Sequence, residues 1–361
     1  MPSLLSKFLA LSLAIGVSLV SASPAASNTS ALVTRQANAP PNCFPALGFK
    51  MPSSVPSSLN NWWCDYSTEY AFVGVSYEIT HCQSLDQLRR EFTDVRNRFK
   101  GRYIRLYGFC DQPGYYNNVI EAAWSAGVGV HALIWFGFDG TDIYKSRREA
   151  LFSVLQSNPK AKFVTRVVQF GSEPLFDWAI SARGLAQEVR DAKSRLANLK
   201  IPVTVSEMAY GYQARENDGS KEVLQAVDFI DAHMLPFFSH KASTAKASWP
   251  IVMEDLNWFF NNGLGKKIYL SQPNSPNAVA NIQNEQVGVQ LVGGHRDDRL
   301  ADPIFQDYYD LLDSHCVDFK NMKGGGVGWF AHIYSDNQEP GYGIYGYNGQ
   351  LKIRFQPKTS C

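Results

Sequence analysis

The residue that most directly suggests chemistry is Glu173. It follows a nearly uninterrupted apolar run, Val164-Thr165-Arg166-Val167-Val168-Gln169-Phe170, and is separated from it by Gly171-Ser172. A carboxyl at the end of a buried strand loses part of its hydration. Its pKa is then expected to rise, which suits a general acid. The local sequence also allows a plainer role. A Glu just before Pro174 could begin a surface helix and favour its dipole. Which role applies depends on the elements that place Glu173.

Those elements recur along the chain as short β-branched apolar runs, each followed by a charged amphipathic run. Strands are expected at Ala71–Tyr77, Tyr103–Tyr107, Gly127–Phe136, Phe163–Phe170, Pro202–Ser206, Val227–Met234, Lys267–Ser271 and Gly326–Ala331. Most are continuously apolar, as strands covered on both faces are. Helical spacing of Leu85, Leu88, Phe92, Val95 and Phe99 predicts a helix over Ser84–Phe99, and further helices are expected at Ile180–Leu196, Val252–Asn261 and Ile304–Ser314. Asp302-Pro303 could open the last of these as cap and first residue. Alternation of this kind implies parallel pairing with right-handed crossovers. The run Ser76-Tyr77-Glu78-Ile79-Thr80 after the first strand carries no glycine-rich dinucleotide turn. A single (β/α)8 TIM barrel is therefore preferred to an open doubly wound sheet.

In such a barrel the chemistry stands at the C-terminal ends of the strands. In strand order, these ends present Tyr77 and Glu78; Arg105 and Tyr107; Trp135; Ser172 and Glu173; Ser206 and Glu207; His233 and Phe237; Ser271 and Gln272; and Trp329, His332 and Tyr334. This polar, aromatic mouth with carboxylates suits a neutral polyhydroxylated ligand. Trp135, Trp178, Trp329, Tyr334 and Tyr342 could each stack a sugar or simply pack. Arg105 and Tyr107 could orient a catalytic carboxylate or form an ion pair at the mouth. The histidines show no H-x-x-x-H or H-E-x-x-H pairing and no G-x-S-x-G elbow is present, so neither a metal site nor acyl transfer is expected. No cofactor is expected.

The chain outside the strands bounds its setting. Residues 1–22 read as a signal peptide, with Lys7, an uncharged run from Phe8 to Val20 and small residues at Val20-Ser21-Ala22. Residues 23–41 read as a disordered lead-in or pro-segment that carries the sequon Asn28-Thr29-Ser30, leaving 42–361 for the barrel and a short Cys- and Trp-rich extension before it. The six cysteines, Cys43, Cys64, Cys82, Cys110, Cys316 and Cys361, fit no zinc spacing and are expected to form disulfide staples of open connectivity. A formal net charge of +1 without a basic stripe argues against a nucleic-acid partner, and no further long apolar run suggests a membrane span. A secreted monomer, extracellular or in a cell wall, is expected.

Several motifs, in order, carry a family resemblance from about Tyr70 to the C-terminus. They are Gly74-Val75-Ser76-Tyr77, Cys82-Gln83-Ser84-Leu85-Asp86-Gln87-Leu88, Tyr103-Ile104-Arg105-Leu106-Tyr107-Gly108, Val227-Asp228-Phe229-Ile230 with Leu235-Pro236-Phe237-Phe238, and Asn284-Glu285-Gln286. The chain resembles glycoside hydrolase family 17, in particular its fungal secreted β-1,3-glucanase-like and glucanosyltransferase-like members. The resemblance implies the same barrel, a retaining mechanism and cell-wall β-1,3-glucan as partner. It also implies an acid/base Glu in a Gly-Asn-Glu motif after strand four and a nucleophile Glu ending strand seven. Glu173 matches the first. Ser172 replaces the Asn expected to contact the sugar, and Gln272 falls at the nucleophile position.

An amide cannot supply the charge that an oxocarbenium-like transition state needs, yet it still hydrogen-bonds sugar hydroxyls. Two functions therefore stand: a glycosidase or transglycosylase with Glu173 as acid/base, or a catalytically impaired β-glucan-binding pseudoenzyme. Glu207 is the best stand-in for the missing carboxylate, followed by Glu339 and Asp336, then Glu78. A stand-in about 6.5–9.5 Å from Glu173 would allow an inverting mechanism.

Overall fold

The computed structural model describes residues 42–137, 140–234, 244–273 and 298–361. The signal peptide and lead-in expected at 1–22 and 23–41, Phe237 and the Leu235–Phe238 and Asn284–Gln286 motifs lie outside these residues. Eight parallel strands close into a barrel in chain order: β1 (Ala71–Glu78), β2 (Tyr103–Tyr107), β3 (Gly129–Ile134), β4 (Thr165–Ser172), β5 (Val203–Glu207), β6 (Ile230–Met234), β7 (Ile268–Pro273) and β8 (Val327–Ala331). This is the (β/α)8 barrel that the alternating pattern predicts.

Differences from the expected bounds have local causes. β3 starts at Gly129 because Gly127, at φ 69°, ends the preceding helix. β4 starts at Thr165 because Ala161–Val164 makes a helical turn. Helices at Tyr116–Ala126 and Ile143–Ser157 also cover the barrel, although their apolar spacing does not single them out in the sequence. The helix expected from Val252 runs over Ala245–Asn262, capped by Thr244, whose side chain accepts from Ala247 N–H. The last long helix starts at Asp298, so Asp302-Pro303 lies inside it rather than at its start. Helical apolar spacing of Leu300, Ile304, Tyr308 and Leu311 continues through the proline.

The barrel interior has two chemically distinct layers. Towards the N-terminal ends of the strands, Val73, Tyr103, Val167, Phe229, Tyr269 and Phe330 form an apolar floor. His131 stands among these rings, 4.9 Å from Phe330 and 5.2 Å from Tyr103 between centroids, and burial keeps it neutral. Below them the buried Glu69 carboxylate accepts from Tyr103 Oη at 2.6 Å and Arg166 Nη2 at 2.8 Å. Above the floor the inward positions turn polar, with Ser76, Arg105, Gln169, Ser206, Asp231, His233, Ser271 and His332 all buried.

The N-terminal extension packs against the outside of the barrel. Trp62 lies 5.0 Å from Phe163 and 6.2 Å from Trp124 between ring centroids, and its Nε1 donates to the Phe163 carbonyl at 2.7 Å. The staples pair as Cys43–Cys64, Cys82–Cys110 and Cys316–Cys361. They tie down the extension, the loops after β1 and β2, and the C-terminus.

A bulge in β1 sets the phase of its upper half. Against β8 the register shifts between Phe72 and Gly74. Val73 faces the floor, yet Ser76 rather than Val75 faces the axis, where its Oγ donates to the Ser271 carbonyl at 3.2 Å. One extra residue thus reverses the facing of every later side chain. Gly74 makes the bulge possible, because a Cβ there would lie 2.0 Å from the Tyr103 carbonyl oxygen. Gly74→Ala is therefore expected to destabilise the fold by about 3 kcal/mol, through forced separation of β1 from β2. A urea unfolding series on the variant and the parent checks this.

Candidate active site

Arg105 is fully buried near the barrel axis. Its Nη2 donates to Ser206 Oγ at 3.0 Å and approaches His233 Nε2 at 3.0 Å, and its Nη1 donates to Ser76 Oγ at 3.4 Å. A guanidinium can only donate, so His233 Nε2 must accept and carry no proton. The proton of the neutral ring is then on Nδ1, which donates to Glu173 Oε1 at 2.6 Å. Burial keeps His233 neutral, lowering its pKa against the pull of Glu173. Arg105 thus fixes the tautomer, and the tautomer fixes the carboxylate (a chain of donors directed outward along the axis).

Glu173 itself sits just past β4. Its φ is 55°, a left-handed conformation that a residue with a side chain adopts at a cost of about 1 kcal/mol or more. The strain is held by its N–H, which donates to the Ser206 carbonyl at 2.7 Å, and by Gly171 at φ 95°, where a Cβ would meet Pro174 and Phe136 at under 3.0 Å. The side chain is 19% exposed, so it can meet a ligand. Burial raises its pKa, but the hydrogen bond from His233 and the Arg105 charge outweigh that and leave it below the usual Glu range. The expectation that desolvation would raise it is corrected: the donors aimed at it win, and the free protein carries Glu173 as a carboxylate.

On the other side of the mouth Glu339 Oε2 lies 2.8 Å from His332 Nε2. Tyr107 lies between these groups, its ring 5.5 Å from that of His332 and within reach of the charges of Glu339, Arg105 and Glu173. Trp135 follows β3, half-buried, with the Arg147 guanidinium 5.0 Å from its ring. Ser172 ends β4 in register with Ser206, and Gln272 pairs in register with His233. The strand pairing therefore places the substituted position beside the strand that carries the histidine partner of Glu173. Sequence reading named His233 only as a strand-end residue; its role as the link between Arg105 and Glu173 needs the tertiary fold.

Three expected sugar-facing rings are corrected. Tyr77 is fully buried and faces the first helix, its hydroxyl bonded to Glu91 and its ring 5.2 Å from Phe92, because the Gly74 bulge turns it outward. Trp329 is fully buried between Phe72 and Tyr309, outside the barrel, since its neighbour Phe330 takes the inward position. Tyr334 packs on Tyr77 and Tyr345 and donates to Asp94 at 3.3 Å. None of these rings offers a face to a sugar.

Glu207, expected as a possible compensating carboxylate, is committed to the protein's own backbone. It is fully buried, and its oxygens accept from the N–H groups of Leu175 at 2.7 Å, Phe176 at 3.1 Å and Met208 at 2.8 Å. It anchors the loop that carries Glu173, and Gly211 makes room for it. Of the lesser candidates, Asp336 is buried against Lys352 and Gly343 N–H. Glu78 is also largely buried, accepts from Thr80 N–H, and is held up in pKa first by burial. Glu339, with a side chain 27% exposed, is open to the mouth.

A strained, hydrogen-bonded glutamate thus stands at the end of β4 of a closed parallel barrel. The family model of the BtgE/BtgC glycoside hydrolase domain matches residues 72–287, and the chain belongs to that family. A glycoside hydrolase family 17 β-1,3-glucanosyltransferase from Rhizomucor miehei superposes with a TM-score of 0.59 at 18% identity, covering 81% of this chain and 99% of that one. An active-site mutant of a Rhizomucor miehei β-1,3-glucanosyltransferase in complex with laminaritriose gives 0.58 at 17% identity, with the same 81% and 99% coverage. A β-D-glucuronidase from Dictyoglomus thermophilum shares the barrel at a TM-score of 0.51 and 13% identity, over 78% of this chain and 48% of that one. The fold is that of family 17 glucanosyltransferases. No curated protein matches this chain.

Glu207 also gives the protein a pH dependence. Burial pushes its carboxyl up to about 8, against the backbone N–H groups that favour the charged form. Folding therefore takes up a proton at neutral pH. The contribution is fully present below the unfolded pKa near 4.5 and is lost as pH rises towards 8. Glu207→Gln is expected to lower stability at pH 5, because one oxygen acceptor becomes a donor. It should also remove a slope of up to about 1.4 kcal/mol per pH unit between those limits. Urea midpoints across pH 5 to 8 for both proteins test this.

Proposed function

We propose that this chain is a secreted glycosidase or transglycosylase acting on β-1,3-glucan of a fungal cell wall, with Glu173 as its general acid/base. The observation that carries this reading is the state of Glu173: strained at φ 55°, hydrogen-bonded to His233 and partly open to the mouth. Strained, positioned carboxyls of this kind cluster at catalytic centres. The likeness to a glucanosyltransferase described in complex with laminaritriose supports the substrate class. A glycan that closes over Glu173 excludes water and raises its pKa towards that of a proton donor. Arg105 and Tyr107 act as positioning residues, and Trp135 and Ser172 line the substrate path. In this reading residues 1–22 direct secretion, 23–41 form a lead-in and 42–361 work as a monomer, extracellular or in the wall.

The second carboxylate in this reading is Glu339, held by His332 across the mouth from the Glu173–His233 pair. Such a pair fits water attack with inversion better than a covalent intermediate, because Gln272 cannot act as a nucleophile. The same substitution, together with Ser172, favours a second reading, a binder that grips β-glucan without cutting it.

Laminari-oligosaccharides separate these readings. For an enzyme, reducing ends appear, the first product seen by proton NMR is the inverted anomer, and Glu173→Gln lowers the rate by about 10³-fold or more while leaving affinity largely intact. Glu339→Gln should lower the rate similarly. Binding heat without product in the parent identifies the binder. In that case Gln272→Glu should create turnover, which also checks the strand-seven alignment.

A further inference from the structure

Three large aromatic side chains are exposed after β4 and β5, Phe176 and Trp178 on the loop after β4 and Tyr210 in the short helix Ala209–Ala214 after β5. Phe176 is 42% exposed, Trp178 68% and Tyr210 61%. These segments form the mouth side of the barrel, and Phe176 and Trp178 lie on the loop that Glu173 begins. The Phe176 and Tyr210 rings meet edge to face at 6.2 Å. An exposed tryptophan normally samples several rotamers, but Trp178 is held. Its backbone is left-handed at φ 56°, and the Arg215 guanidinium lies 3.9 Å from its ring centroid. Arg215 is itself locked by the Leu175 carbonyl at 3.2 Å, the Ile180 carbonyl at 3.2 Å and Asp218 Oδ2, which its Nε reaches at 3.1 Å. One face of the indole is thus backed by a fixed, buried cation.

We infer that Trp178, backed by Arg215 and exposed on the same mouth side as the Phe176–Tyr210 pair, is a stacking subsite for a remote glucose unit of a β-glucan chain. This rests on the glucan reading of the mouth. A pyranose ring with equatorial hydroxyls presents a flat C–H face that stacks on an indole, and a rigid platform loses little entropy when it binds. Continuity decides the occupant. The platform and Glu173 share one loop, which Glu207 fastens through the Leu175 and Phe176 N–H groups. A chain threaded past Glu173 runs onto the platform, whereas a short oligosaccharide fills the mouth alone. The site therefore selects long glucans.

The test is calorimetric titration of the full chain with laminaritriose and with laminarihexaose, in a Glu173→Gln background so that nothing is turned over. Trp178→Ala should weaken laminarihexaose binding about tenfold and change laminaritriose binding less than about twofold, and Trp178→Phe should recover part of the loss. Equal losses for both lengths, or no loss, overturn the subsite while leaving the glucan reading in place. A Trp178→Ala variant that changes only the sedimentation coefficient, with both affinities unaltered, makes the platform a protein contact and also overturns it. A parent that binds neither oligosaccharide overturns the glucan reading and the subsite with it. Unaltered far-ultraviolet circular dichroism and thermal midpoint for the variant keep a folding defect from being read as lost stacking.

Discussion

A charged guanidinium without solvent stands near the axis of this barrel, and the upper half of the molecule is arranged around it. Burying an isolated ion costs several kcal/mol even after relaxation, so Arg105 requires both counter-charge and acceptors. Among the charges acting on it Asp231 weighs most, and Glu173 and Glu339 weigh less. Burial still pushes the Asp231 carboxyl up to about 6, so its charge depends on the presence of Arg105. Ser76, Ser206 and His233 supply the acceptors. Because Arg105 can only donate, it dictates which ring nitrogen of His233 holds the proton, and so which way a hydrogen bond is offered to Glu173. The state of the candidate catalytic carboxylate is thus decided at a residue it does not touch.

The barrel divides this task between its ends. The floor is made of aromatic rings around a neutral His131, pinned from below by Glu69 and Arg166. A floor of this kind is stiff and needs no water. The mouth above it is a polar network tied together by Arg105, Ser206, His233 and Ser271, which fixes positions at the expense of burial energy. The strain at Glu173 is tolerated because both flanks are held: the Ser206 carbonyl takes its N–H, and Glu207 takes the N–H groups of the loop just beyond. The same fastening carries the aromatic surface around Trp178.

The carboxylates of the mouth divide into those that meet solvent and those that hold loops. Glu173 and Glu339, both partly exposed, are each partnered by a histidine from a strand end. Glu207, Asp336 and Glu78 are committed to holding loops.

Much of this was legible in the chain by itself. Continuous apolar runs alternating with amphipathic ones define a parallel eight-stranded barrel, because only strands covered on both faces need such runs. The glycine before Glu173 and the apolar run before that place this residue at a strand end. The cysteines predict staples. The facing of side chains was not legible where a bulge intervenes. One residue inserted at Gly74 turns Tyr77 to the helices and Ser76 to the axis, and local sequence does not reveal a shift that depends on the approach of Tyr103 on the next strand. Trp329 and Phe330 are equally apolar, so only closure of the barrel decides which faces in. Glu207 looks like a free carboxylate until the loop after β4 folds over it. The pKa of Glu173 followed the same rule. Burial was readable from its neighbours in sequence, but the His233 hydrogen bond and the Arg105 charge that outweigh burial come from β6 and β2, and only tertiary structure brings them together.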